Sequence, residues 1–139
     1  IFSILYDLNK KQNFQLVVIP SMRTPKNTIQ YAKEFFGESH TVIENIDKKA
    51  YLSALALAEY IIVTCDSSSM ISEAALTGKP IYVANILPKK NDRRFQKFRN
   101  LFRELNITRN LGEPFENWSY QKLDETNRVG KIIKERIGI

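Results

Sequence analysis

The chain is predicted to fold as an α/β protein, a Rossmann-like parallel sheet with helices on both faces, and three observations predict it. Short apolar, β-branched runs at 15–19, 41–43, 60–64 and 81–83 alternate with stretches of helical spacing, the pattern of strands buried on both faces and joined by crossover helices. The strongest run, Tyr60-Ile61-Ile62-Val63-Thr64, is broken by a small polar cluster, Cys65-Asp66-Ser67-Ser68-Ser69. Met70, Ile71, Ala74 and Ala75 then recur at helical spacing until Gly78, where a C-terminal cap is expected, and Pro80 opens the next strand. The four strands are expected in one sheet.

Taken in order, Ile1, Ile4, Leu5 and Leu8 fall at i, i+3, i+4 and i+7, so the chain opens on an amphipathic helix ending near Lys10 and Lys11. A strand at 15–19 leads into Ser21-Met22-Arg23-Thr24-Pro25, with Thr24 placed as N-cap and Pro25 as the first helical residue. The helix that follows presents Ile29, Ala32 and Phe36 inward and ends near Gly37. His40 has no Cys, Asp or second His nearby and reads as a surface loop residue, not a metal ligand. A helix at 49–59 offers Tyr51, Leu52, Leu55 and Ala58 for burial. Beyond Ala84 come Lys89, Lys90, Arg93 and Arg94, then a helix with Phe95, Phe98, Leu101, Phe102 and Leu105 as one buried stripe and Lys97, Arg99 and Arg103 mostly off it. Trp118 is expected to anchor the tail, and a last helix at 121–136 to bury Val129, Ile132 and Ile133.

The turn at the carboxyl end of the 60–64 strand has definite chemistry. In open α/β sheets ligands bind at that end, where the next helix aims its free N–H groups and positive dipole. Backbone N–H groups near Ser68, Ser69 and Met70 suit a phosphate, the serine hydroxyls add donors, and Glu73 one turn along can accept two hydrogen bonds from a ribose diol. The same residues also read as a plain N-cap with solvated serines and an exposed helical glutamate. Arg23 sits at the carboxyl edge of another strand, so it is expected on the same rim. Cys65, the chain's one cysteine, reads as a small core residue.

The order Asp66, Ser67, Ser69, Met70, Ser72, Glu73, Ala74, Ala75, Thr77, Gly78, Lys79, Pro80 resembles the DSxSMxSEAAxTGKP signature of the plant mitochondrial fission factor and its bacterial homologues, a family similar to GT-B glycosyltransferases. Tyr51 to Glu59, Arg94-Phe95-x-x-Phe98, Thr108-Arg109, Glu116-x-Trp118-x-Tyr120 and Leu123-Asp124 are similar to further segments of that family. Two departures are that Arg99 stands where a histidine is usual and Asn110-Leu111 where Pro-Phe is usual. The resemblance implies a GT-B C-terminal domain whose first strand lies upstream of Ile1, a ribose-gripping role for Glu73, and a ligand-facing role for Ser21, Arg23 and Thr24. It covers nearly the whole chain from Leu16 to Thr126.

At 139 residues, 43% of them hydrophobic, the chain has the material for one domain with a core, and no apolar run is long enough to span a membrane. It begins at Ile1 inside a periodic segment and reads as part of a longer protein, residues 1–139 forming a single partial nucleotide-binding domain. An excess of 21 Lys and Arg over 15 Asp and Glu, a formal charge of +6, favours an anionic partner. No nucleic-acid-binding pattern accompanies the basic residues, so nucleic acid is not the expected partner. A cytoplasmic location is expected, peripheral to the inner face of a membrane.

The resemblance leaves three functional readings. The first is the donor half of a GT-B-like glycosyltransferase, holding a UDP-, GDP- or similar nucleotide sugar through Ser67, Ser68, Ser69, Met70, Glu73, Ser21, Arg23 and Thr24, with no cofactor and no metal. Acceptor and catalytic groups then come from a missing N-terminal domain, and this span alone is not expected to be active. The second is a GT-B-type nucleotide-sugar 2-epimerase. The third is a non-catalytic scaffold recruiting a protein partner, as the fission factor's link to a dynamin-related protein implies.

Overall fold

The structure, a computed structural model, describes residues 1–86 and 92–138; Lys89 and Lys90 of the basic run lie outside the described residues. The chain divides into two compact units, Ile1–Ala58 and Glu59–Ile139.

In the first unit α1 (Phe2–Gln12), β1 (Val17–Val18), α2 (Lys26–Phe36), a 3-10 turn (Gly37–Ser39), β2 (Thr41–Val42) and α3 (Lys48–Leu57) follow in order. β1 and β2 are parallel, Val17 opposite Thr41 and Val18 opposite Val42. α1 ends on Asn13 in the left-handed region at φ 52°, and α2 on Gly37 at φ 57°, a conformation that glycine adopts without Cβ strain. Leu5, Pro20, Ala32 and Phe36 are the buried apolar residues here, with Ile29 half-buried. Phe2 links the two helices by packing against the rings of Tyr31, Phe35 and Phe36.

Three expectations are corrected in this unit. Pro25, not Thr24, is the N-cap of α2; the Thr24 hydroxyl is turned back to accept from the Ser21 N–H at 2.9 Å and so closes the preceding turn. His40 is half-buried rather than a free surface residue: the Leu16 N–H donates to Nδ1 at 3.5 Å, Asn9 meets Nε2 at 3.1 Å, and the ring packs edge-on against Phe36. Leu52 is exposed, because α3 turns Tyr51, Leu55 and Ala58 inward instead, each to half-burial. The start of α3 is fixed by Asp47, whose carboxylate accepts from the N–H groups of Lys49 and Ala50 at 2.8 and 3.0 Å.

The second unit holds β3 (Ile61–Thr64), α4 (Ser68–Ala75), β4 (Ile81–Ala84), α5 (Arg93–Glu104), β5 (Thr108–Asn110) and α6 (Glu125–Ile137). β4 lies between β3 and β5 and all three run parallel, Ile61 opposite Ile81 and Ile81 opposite Thr108. The α/β class, with parallel sheets flanked by helices, is thus the expected one. The strands, however, form two sheets rather than one, because β1 and β2 are two residues long and pair with each other. β5 is an addition: its sequence is polar, yet backbone pairing with β4 draws it in and buries Thr108.

β4 is buried at every position, as a central strand demands. α4 packs on β3 and β4 through Ile71, Ala74 and Ala75, all fully buried; the two alanines let the helix approach closely, and burial of Ile71 contributes about 1.5–3 kcal/mol. Tyr82 reaches from β4 into the tail, its hydroxyl donating to the Pro114 carbonyl and accepting from the Glu116 N–H, both at 2.9 Å. Its ring stacks on Phe115 at 4.2 Å and meets Trp118 edge-on at 5.3 Å. Trp118 is the anchor expected: Nε1 donates to the Asn106 carbonyl at 2.8 Å, and the Arg109 guanidinium lies 4.3 Å from the ring centroid. Further along, the Tyr120 hydroxyl donates to the Lys79 carbonyl. Lys122 lies over Gly78, which has φ 75°; a Cβ there would stand 2.6 Å from Lys122 Cε.

Two helices bury less than their spacing promises. On α5 Phe102 is buried and Phe98 half-buried, whereas Phe95, Leu101 and Leu105 are exposed. α6 starts at Glu125 rather than 121 and buries no residue; Val129 and Ile133 are exposed and Ile132 half-buried. Periodicity marks an apolar face but not whether anything covers it. Among the described residues no helix is long and apolar enough to cross a membrane.

Candidate functional site

The polar turn after β3 is built by the sheet. Cys65 continues the ladder, its N–H bonding to the Ala84 carbonyl at 3.0 Å, and the Ser67 N–H turns back to the Thr64 carbonyl at 3.2 Å. Ser67 is the N-cap of α4, and its carbonyl accepts the first helical bond, from Ile71, at 3.1 Å. Its hydroxyl makes no capping hydrogen bond, although the residue is only 5% exposed. The first N–H groups of α4, those of Ser68, Ser69 and Met70, therefore have neither an intrahelical acceptor nor a side-chain cap from Ser67. Ser68 and Met70 are half-buried and Ser69 exposed. Glu73 lies on the exposed surface of the same helix. Cys65 is buried, as expected, with Sγ accepting from the Ile86 N–H at 3.4 Å.

Sequence reasoning placed Arg99 on the solvated side of α5, and the structure corrects this. Its side chain is 16% exposed, and Nη1 donates to the carbonyl of Cys65 at 3.0 Å, at the start of the serine turn. The guanidinium also forks onto Asp92, Nη2 to Oδ2 at 2.5 Å and Nη1 to Oδ1 at 3.4 Å. The hydrogen bond with Asp92 holds the Arg99 pKa above the ordinary arginine value, against the opposing effect of burial. Asp92 is the N-cap residue of α5, yet its carboxylate makes no cap. Asp92 and Arg99 lie seven residues apart, two turns along one face of the same helix.

The other expected residues form a turn of their own in the first unit. After β1, Ser21 Oγ accepts from the Arg23 N–H at 3.3 Å and lies 3.3 Å from Thr24 Oγ1, while the Thr24 N–H bonds to the Ser21 carbonyl at 3.0 Å. Arg23 is exposed. Ser67, Ser68, Ser69, Met70 and Glu73 thus share one helix with Arg99 beside it, and Ser21, Arg23 and Thr24 share a turn, each group at the carboxyl end of a strand in its own unit. Among the described residues no group of three or more His, Cys, Asp or Glu is placed to hold a metal ion. The β3–α4 turn can offer a phosphate backbone donors, hydroxyls and a nearby guanidinium.

Comparison with known proteins gives the lineage. The family model described as Mitochondrial fission ELM1 matches residues 1–137. An uncharacterized protein of Rickettsia prowazekii (strain Madrid E), RP120, is 33% identical over 142 residues, which cover 95% of this chain and 39% of that protein. The mitochondrial fission protein ELM1 of Arabidopsis thaliana is 29% identical over 122 residues, 84% of this chain and 28% of its own length. The chain thus spans less than two fifths of either relative. No solved structure matches it. With the family model covering almost every residue, the chain belongs to the mitochondrial fission ELM1 family.

Proposed function

We propose that the chain is the nucleotide-binding portion of a GT-B-like protein, and that the β3–α4 turn holds the diphosphate of a nucleotide sugar while Glu73 grips the ribose. The observation that carries this reading is the start of α4: N–H groups without intrahelical acceptors, Ser67 buried without using its hydroxyl as a cap, and a carboxylate exposed one turn along the same helix. Ser21, Arg23 and Thr24 would serve as a second anion-facing turn. Acceptor and catalytic groups would come from elsewhere in a longer protein, which fits a chain spanning less than two fifths of its relatives.

Calorimetric titration of the chain with UDP-, GDP-, ADP- and CMP-sugars tests the proposal. A charged hydrogen bond in such a site contributes about 1.5–3 kcal/mol, so Glu73→Ala should weaken binding about tenfold to a hundredfold and leave the far-UV spectrum unchanged. Unchanged affinity removes the ribose from this helix.

A second reading, recruitment of a protein partner without catalysis, is favoured by one observation. α6 carries Val129, Ile133 and Ile137 exposed along one face, a surface suited to an amphipathic partner. The fission role in the Arabidopsis relative's name belongs to that protein. Absence of binding by every nucleotide sugar would make recruitment the better reading of this chain.

A further inference from the structure

We propose that Arg99 is a further phosphate-binding residue of the β3–α4 site and that Asp92 is its resident counter-ion, which an incoming phosphate displaces; the inference rests on the nucleotide-binding reading above.

Four observations carry it. Arg99 is fastened to the serine turn through the Cys65 carbonyl, two residues before the α4 N-cap. Its guanidinium is already forked onto a carboxylate, the same planar, two-oxygen geometry that a phosphate offers. Asp92 leaves the start of α5 without its side-chain cap in order to hold that fork, where an Asp would otherwise satisfy the helix's own N–H groups. Finally, Ser67, the N-cap of α4 at the same turn, is 5% exposed and its hydroxyl makes no cap. A diphosphate bound to the α4 N–H groups brings more negative charge than Asp92 and can take over one arm of the fork, with Asp92 turning back to cap α5.

This arrangement makes Asp92 a brake on affinity. Ligand binding must break the Arg99–Asp92 contact, so removing the carboxylate's charge should help the ligand, whereas removing the guanidinium should hurt it. A residue that merely positions Arg99 would act with the opposite sign.

The test uses two probes on the chain, inorganic pyrophosphate and a nucleoside diphosphate, read by calorimetry and by the arginine side-chain 15Nε resonances. Asp92→Asn should tighten both probes about threefold to tenfold, Arg99→Ala should weaken both at least tenfold, and pyrophosphate should shift the Arg99 Nε signal of the unmodified chain. The last measurement needs no substitution and stands even if Arg99→Ala fails to fold. Asp92→Asn weakening the probes as Arg99→Ala does, or an Arg99 signal that pyrophosphate leaves unmoved, overturns the inference. Nucleotide binding that ignores Arg99 overturns it while sparing the nucleotide-binding reading; pyrophosphate held by Arg99 without any nucleotide binding supports it and sinks that reading. Binding of neither probe overturns both.

Discussion

Between Ile1 and Ala58 the buried apolar side chains are Leu5, Pro20, Ala32 and Phe36, whereas between Glu59 and Ile139 they run from Ile61 and Val63 through Ile71, Ala74 and Ala75 to the whole of β4, Phe102 and Ile107. The first unit pairs two strands of two residues; the second sets a four-residue strand between two neighbours. Both units use the same plan, a parallel pair with a polar turn at a strand's carboxyl end. They differ in how firmly the turn is held. The serine turn of the second unit stands on a ladder, a close-packed helix and a salt-bridged arginine. The Ser21–Thr24 turn is closed by local hydrogen bonds among its own residues. Apolar burial is the dominant stabilising term, so local opening should be cheaper in the first unit.

The comparison breaks most decisively at Tyr82. Truncation to Ala removes a fully buried ring and orphans the Pro114 carbonyl and the Glu116 N–H, so it should cost about 3–5 kcal/mol in denaturant titrations. Native-state hydrogen exchange in the unmodified chain sharpens the same point: amides of Ile81–Ala84 should exchange far more slowly than those of Val17–Val18, and equal rates would refute the contrast. Gly78→Ala puts an L side chain at φ 75° and presses on Lys122; the loss should be about 1–2 kcal/mol, measured by thermal melting. Asp47→Ala uncaps α3 in the first unit and should cost about 1 kcal/mol in denaturant titrations. The smallest expected effect is an alkaline slope. Burial pushes the pKa of Tyr82 and of Tyr120 above the usual 10.0, so each favours folding fully below pH 10.0, and that contribution is lost as pH rises from there through the folded value. Stability measured across this range should fall, and Tyr120→Phe should flatten the fall.

Much of this was legible in the residues. Apolar runs gave β3 and β4, the 66–80 signature gave the α4 unit, and Pro80, Gly37 and Trp118 fell where their chemistry put them. What was not legible depended on tertiary context. β5 has no apolar pattern and exists because β4 offers it a free edge. The α5 and α6 faces are periodic, but coverage by a neighbour is not written in period. Arg99 looked solvated because one of its partners, the Cys65 carbonyl, is brought to it by tertiary packing, although the other, Asp92, lies two turns back on the same helix. The serine turn was visible; the arginine bonded to its first carbonyl was not.

Trp118 has an optical consequence. It is the chain's only tryptophan, and its indole is set among Tyr82, the Arg109 guanidinium and the Asn106 carbonyl, all within the second unit. Emission excited selectively through the indole therefore follows the environment of that unit's tail. The first unit carries tyrosines and phenylalanines but no indole, so its unfolding leaves this signal to be read separately from a backbone spectrum that sums both. The side chain that pins the tail is also a built-in reporter of whether the second unit is folded.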